Sequence, residues 1–362
     1  MRPGCWFLRL GALGLLFVAP LKGQSVVQGP RVCVGGDVLL GSNLDTTWAE
    51  RAAARIGRPV EAMPDPAWLI EPLVPLVGDA DIVLFNVEGA IGDGDSPRKC
   101  RPGSTNCYAF RQPPQAAAAY RGLHPTGWVL GNLANNHAMD SGDEGFAKTR
   151  ELLMDAGVLV TGVDSLPALI PLWKGTVAVL GFSTAQAGPD PRDLDAVRRY
   201  VRNADAQARW VVVTMHMGAE GATAQRTRDT TEIFLGENRG NVVAFARTAV
   251  DAGADLVVGH GPHVLRAMEW YHGAFVAYSL GNLLTYGPFN MGEPRNRGAI
   301  LCATLAENGV EHVTLRSTVQ RRPGTVQADA SARAVFLVDS LSGLDFPETG
   351  VRFTRGATAI RP

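Results

Sequence analysis

The chain lacks an excess of charge of either sign. Its 34 Lys+Arg stand against 35 Asp+Glu, for a formal net charge of -1. A general nucleic-acid binder carries a basic excess, so no nucleic-acid partner is expected. A polyacidic tail is excluded too. Lysine is scarce: Lys22, Lys99, Lys148 and Lys174 are the only four. That reads as a compositional bias without functional weight. Several catalytic signatures are also missing. No Walker-type loop, no His-Glu-x-x-His helix and no Gly-x-Ser-x-Gly elbow occurs. What is present is enough to build a core. Hydrophobic residues make up 46% and charged residues 19% of 362, which suits one large domain or two smaller ones and excludes intrinsic disorder.

Long hydrophobic runs are absent. The apolar stretch Leu10–Pro20 is about eleven residues, and a bilayer span needs roughly 20. Preceded by Arg2 and Arg9, it fits the core of a secretory signal peptide over residues 1–24, with cleavage near Gly23 or Gln24. An uncleaved anchor is the alternative. The protein is therefore expected to be exported, periplasmic or at the cell surface. Cysteine is sparse. Cys100 and Cys107 bracket a polar, turn-rich stretch, and an oxidising compartment favours a disulfide there, contributing about 2–3 kcal/mol. Cys33 and Cys302 sit inside apolar runs and read as buried core thiols.

Short apolar runs alternate with helical patterns. Strands are expected at Arg31–Leu40, Asp81–Val87, Gly127–Leu133, Thr176–Phe182, Arg209–Met215 and Asp255–Val258. Helices are expected at Gly142–Ala156, Pro191–Ala204 and Asn241–Ala252. From Glu269 onward strands become closely spaced, at Ala274–Ser279, Ala299–Leu305 and Val310–Thr318. Helix-linked strands imply parallel sheet and hairpin-spaced strands imply antiparallel sheet, so one α/β domain with mixed sheet is expected. Residues after about 325 have a weak pattern.

Five apolar runs each end in polar residues able to bind metal or move protons. Asp37 follows the first and Glu88 the second. Asn135, Asn136, His137 and Asp140 follow the third. His216 and Glu220 follow the run ending at Met215, and His260 and His263 follow the last. In α/β sheets, sites form outside the carboxyl ends of strands, so these residues can converge. A mixed nitrogen and oxygen donor set suits Mn, Fe or Zn better than Ca or Mg. Two ions about 3.5–4 Å apart need a bridging carboxylate, which Asp37 or Glu88 can supply. Plainer roles compete. Asp37 can be a turn residue, Asp140 a helix cap, His216 a core histidine, and Glu220 a partner of the loop Gly218–Gly221.

The sequence resembles the CapA family of bacterial capsule-synthesis proteins, associated with poly-γ-glutamate. The matching stretches, in order, are Gly36–Gly41, Asn86-Val87-Glu88, Ala134–Asp140, His216–Glu220, Ala252–His263 and Tyr278–Asn282. Together they span roughly residues 31–305. The resemblance implies a calcineurin-like metallophosphoesterase fold, a four-layer α/β/β/α sandwich of two mixed sheets over residues 25–325, with 326–362 as a C-terminal extension. It implies a site for one or two divalent ions from Asp37, Glu88, Asn136, His216, His260 and His263. His137 and Asp140 would handle protons, and Asn86, Asn135, Glu220 and Asn282 would support them. Leu39 and Gly261 stand where such proteins often place histidines. The implied function is synthesis or export of an anionic γ-glutamyl or other envelope polymer, with a metal-dependent hydrolase site cleaving an amide or phosphoester bond. A non-enzymatic polymer-binding subunit of a membrane assembly complex, or a general exported metallophosphoesterase, are the alternatives. Arg111, Arg266, Arg295 and Arg297 are candidate contacts for an anionic ligand.

Overall fold

The run at Arg31 forms the strand Arg31–Leu40, buried at every residue after the first. A strand covered on both faces needs a continuous apolar sequence instead of an alternating one. The structure, a computed structural model, describes residues 1, 29–42, 44, 47–93, 99–100, 107–307 and 309–361. The segment read as a signal peptide, from residue 2 onward, lies outside the described residues. Among those described, no helix is long and apolar enough to cross a membrane.

Two mixed sheets organise the chain. The eight-stranded sheet runs Thr325–Ala328, Gly309–Arg321, Arg297–Ala306, Arg31–Leu40, Ile82–Val87, Trp128–Asn132, Leu159–Thr161, and Asn282–Tyr286 also pairs with Arg31–Leu40. Its helix-linked strands are parallel, and its hairpin-spaced strands are antiparallel. The six-stranded sheet runs Met268–Tyr271, Ala274–Ala277, Leu256–His260, Trp210–His216, Gly175–Ser183, Ala168–Leu172. Its inner pairings are parallel and its two edge pairings antiparallel. The expected strands are all present, within a few residues at their ends.

Alternate residues of each strand enter different cores, as the period of two requires. Val32 and Val34 share one apolar cluster with Val177, Val179, Val212 and Val258 of the other sheet. Val83 and Phe85 join a second cluster with Leu69, Leu73 and Tyr120 from helical segments. Val211 and Val213 join a third with Val197, Val201 and Phe245. Burying each such side chain fully stabilises the fold by about 1.5–3 kcal/mol relative to leaving it exposed. After residue 325 the chain adds an edge strand and the helix Arg333–Asp345, whose Ala334, Val335 and Val338 enter the first cluster.

Two helices begin later than the periodicity suggests, because a polar residue caps each. Asp193 Oδ1 accepts from Ala196 N at 2.9 Å, so the helix is Leu194–Asp205. Asn241 Oδ1 accepts from Val243 N and Ala244 N, so the helix is Val242–Asp251.

The expectation of free thiols at Cys33 and Cys302 is wrong. They are Cα partners across the antiparallel pair Arg31–Leu40 and Arg297–Ala306, with Cα atoms 4.0 Å apart, and form a disulfide. Apolar flanks reveal burial but not pairing across a sequence separation of 269. Cys100 and Cys107 are joined as expected, with Cα atoms 5.6 Å apart.

Candidate metal centre

Polar side chains stand in register at one end of each sheet. Asn282, Asp37, Asn86 and Asn132 are Cα partners on adjacent strands of the larger sheet. Ser183, His216 and His260 are partners on the smaller one. The register shifts beside Asp37 in both of its parallel pairings, a bulge that re-aims the side chain. Gly36 permits it, since a Cβ there would lie 1.9 Å from the Gly281 carbonyl oxygen.

A hydrogen-bond network fixes these residues. Asn86 Nδ2 donates to Asp37 Oδ1 at 2.8 Å and lies 3.2 Å from His216 Nδ1. Asn86 Oδ1 accepts from Asn132 Nδ2 at 3.0 Å and Asn135 Nδ2 at 3.2 Å. Asn135 Oδ1 in turn accepts from His137 N at 3.0 Å. His263 Nδ1 lies 3.0 Å from Asp37 Oδ2 and 2.9 Å from Asn282 Oδ1, which sets the ring orientation. His263 has φ of 57, a left-handed conformation that costs energy outside glycine and tends to persist at functional sites. Gly261 has φ of +104, and a Cβ there would lie 3.2 Å from the His216 ring, so a side chain at this position would be strained.

Several buried atoms in and beside this network have no hydrogen-bond partner among the described residues. They are Glu88 Oε1, Asn136 Oδ1, His216 Nε2 and both ring nitrogens of His260. Each unpaired buried polar group costs about 1–3 kcal/mol. Glu88 Oε1 lies 3.5 Å from His263 Nε2 and 3.9 Å from His216 Nε2. His260 Nδ1 lies 3.8 Å from Asp37 Oδ1. The longer of these separations are too long for hydrogen bonds. They suit ligands of one ion, because two donors each about 2.0–2.2 Å from a cation lie at most about 4.4 Å apart. Donor atoms of Asp37, Glu88 and His263 all fall within 4.8 Å of one another. The donor set therefore fits a divalent cation. Asn136 is half-buried, and no hydrogen bond or ion pair among the described residues joins its side chain to the others; its carbonyl accepts from Lys99 Nζ at 2.9 Å.

The charges point the same way. Burial opposes ionisation of Asp37, but the His263 hydrogen bond and the nearby imidazoles outweigh it and hold Asp37 below the carboxylate range. Burial and then the Asp37 charge push Glu88 well above its ordinary value. Burial pushes His216 well down and His260 down to about 4. Burial would lower His263 too, but Glu88 and Asp37 raise it well above its ordinary value. Lowered His216 and His260 leave neutral imidazole lone pairs for a cation, which Glu88 and His263 can join once they give up protons.

Asp140 does not cap the helix Gly142–Asp155, whose N-cap is Ser141. Its Oδ2 accepts from His137 Nδ1 at 2.6 Å and from Phe110 N at 2.8 Å, while Lys99 Nζ lies 2.5 Å from Oδ1. Lys99 therefore carries weight that its rarity alone did not suggest. Glu220 does not serve its own glycine loop: Arg239 binds it at 2.7 Å, and its other oxygen lies 3.7 Å from His263 Nε2. Of the four candidate arginines, Arg266 is buried and taken by Glu232 through two 2.7 Å bonds. Arg297 is taken by Asp329 and Glu293, and Arg111 is buried. Arg295 lines a cavity of about 500 Å³ with Leu39, Glu88, Phe110, His137 and His263. Asn132, Lys99, Phe110 and Arg239 were not singled out from sequence. Asn132 carried a signal, an amide inside an apolar strand; the others did not.

A family model described as bacterial capsule synthesis protein PGA_cap matches residues 31–286. The PGA biosynthesis protein CapA of Bacillus subtilis (strain 168) is 31% identical over 219 residues, covering 55% of this chain and 53% of that protein. The capsule biosynthesis protein CapA of Bacillus anthracis is 29% identical over 210 residues, covering 52% and 47%. A Mycobacterium tuberculosis (strain ATCC 25618 / H37Rv) protein named "Probable polyglutamine synthesis accessory protein" is 29% identical over 299 residues, covering 70% and 73%. The chain spans about half the length of the two Bacillus relatives.

Proposed function

The chain belongs to the bacterial capsule synthesis family PGA_cap, and from that premise we propose that it acts in capsule polymer synthesis as an exported, metal-dependent hydrolase of an anionic γ-glutamyl chain. The observation that carries this reading is the group of unpartnered buried atoms on Glu88, His216 and His260. Asp37, Glu88, His216, His260 and His263 would hold the cation, with Mn, Zn or Fe matching the donors. Leu39 puts hydrocarbon where a further donor would be needed, which favours one ion over two. The same reading takes the fold as a four-layer α/β/β/α sandwich of metallophosphoesterase type. The apolar clusters support it, one shared by both sheets and one between each sheet and its helices.

A bound cation supplies a Lewis acid and lowers the pKa of water toward neutrality. The protein supplies positioning and proton transfer. A carboxylate only accepts, so His137 Nδ1–H donates to Asp140 and presents Nε2 to the cavity. Burial holds His137 below its ordinary pKa against the pull of Asp140. His137 Nε2 therefore takes the proton lost by an attacking water and returns it to the leaving amine. Arg295 offers a cation to a substrate carboxylate.

The test is turnover of γ-glutamyl oligomers, followed by release of free amine in the presence of Mn or Zn. His137→Ala should lower kcat by about 10²–10⁴. Turnover of phosphoesters alone would make the protein a general phosphoesterase. Polymer binding with no turnover in any metal would leave a scaffold role and overturn the hydrolase.

A further inference from the structure

We propose that a second cavity, lined by Arg51, Arg55 and Arg322, is an anion subsite that grips carboxylates of the same polymer chain beyond the reaction centre. This rests on the γ-glutamyl reading above. The cavity is about 420 Å³. It shares Tyr108, Pro288 and Phe289 with the cavity over the candidate metal centre. Those three residues form a wall common to both cavities, so a chain leaving one can pass along it into the other.

The lining is built from separate elements. Arg51 and Arg55 are four residues apart on the helix Thr47–Ile56, so they lie on one face, about 5–6 Å apart at their Cβ atoms. Trp48 anchors that helix, buried and edge-on to Tyr286 at 5.9 Å. Arg322 comes from the turn between the strands Gly309–Arg321 and Thr325–Ala328. Among the described residues no carboxylate lines the cavity. Among the described residues none of the three arginines pairs with one, and Arg51 donates only to Thr47 Oγ1 at 3.2 Å. Elsewhere arginines such as Arg192, Arg198, Arg226 and Arg316 have acid partners.

Three like charges around one cavity repel each other, and an anion between them relieves that repulsion. Guanidinium groups suit carboxylates because their planar forks bind bidentately. A γ-glutamyl chain carries one free carboxylate per residue, so it offers several partners in series. The basic lining is bounded. The neighbouring cavity, which shares Ile56 and Pro323, adds Glu61 and Asp65 beside Arg58. The footprint thus extends from Arg295 through Arg51, Arg55 and Arg322 and ends there.

The test measures binding of fluorescent γ-glutamyl oligomers of two and about ten residues to the full protein. The triple variant Arg51→Ala/Arg55→Ala/Arg322→Ala is compared with a control, Arg192→Ala/Arg198→Ala. The subsite predicts that the triple variant binds the long oligomer about tenfold or more weakly and with a shallower salt dependence. Dipeptide binding, metal content and thermal melting should be unchanged, and the control should match wild type. Unchanged long-oligomer affinity in the triple variant overturns the subsite. If a His260→Ala/His263→Ala variant still loses metal and turnover in that case, the hydrolase reading stands without it. Arginine-dependent binding by a wild type that never turns over keeps the subsite and removes the hydrolase. Polyphosphate binding as tightly, with the same arginine dependence, overturns the assignment to a carboxylate chain. No binding of either oligomer by wild type overturns subsite and substrate together.

Discussion

Asp37 and His263, 226 residues apart in the chain, meet with Oδ2 and Nδ1 3.0 Å apart. One lies past the middle of the strand Arg31–Leu40 in the larger sheet, and the other lies in the turn after the strand Leu256–His260 of the smaller sheet. Their contact ties the two polar rows together. It also directs His263 Nε2 toward Glu88, whose nearest oxygen is 3.5 Å away.

That arrangement predicts proton release on metal uptake. In the ion-free protein burial and the Asp37 charge raise Glu88 well above its ordinary value, and the Glu88 and Asp37 charges raise His263 against its burial, so this coupled pair holds protons more tightly than free side chains do. A cation requires both to let go, whereas His216 and His260 are already neutral. Calorimetry of Mn or Zn binding in buffers of different ionisation enthalpy should show release of about one to two protons, and affinity should fall as pH falls. Binding without proton release would show that the ion goes elsewhere.

Asn86 is predicted to matter without being a ligand. Its amide bonds Asp37, contacts His216 and accepts from Asn132 and Asn135. Asn86→Ala should weaken metal affinity by about 10–100-fold, the usual effect of losing a group that orients ligands. Circular dichroism checks that the fold survives.

The Cys33–Cys302 bridge joins the strand that carries Asp37 to its antiparallel neighbour Arg297–Ala306. Replacing both residues with alanine should lower unfolding free energy by about 2–5 kcal/mol in denaturant titration. A change under about 0.5 kcal/mol would show that sheet pairing alone holds the two strands.

Asp255 is raised to about 6 by burial, although its carboxylate accepts from Val211 N at 2.8 Å. Its folded pKa exceeds the unfolded one, so the folded state binds the extra proton between the two values. Stability is fully present below about pH 4 and declines as pH rises through 6. Relative to Asp255→Asn, which keeps an acceptor, wild type should lose about 2–3 kcal/mol between pH 4 and 8. Parallel pH profiles of the two proteins would contradict the shift.

The strands and most of the site were legible in the sequence because both depend on local order. Each buried parallel strand is a short apolar run, and the first polar residue after it falls at the strand's carboxyl end. Asp37, Glu88, His216 and His260 were singled out that way, and His263 from the glycine and proline turn that follows His260. Features that depend on register between distant strands were not. Cys302 faces Cys33 because of a pairing across 269 residues. Arg266 and Arg297 looked available until packing supplied Glu232 and Asp329. Lys99 reaches Asp140 from beside the Cys100–Cys107 bridge, a contact no periodicity announces.

The most direct test of a metal centre is elemental mass spectrometry of protein purified without chelator, beside His260→Ala/His263→Ala. About one equivalent of Mn, Zn or Fe in wild type, lost in the double variant, is the predicted result. Less than about a tenth of an equivalent, with no uptake after adding Mn or Zn, would contradict it.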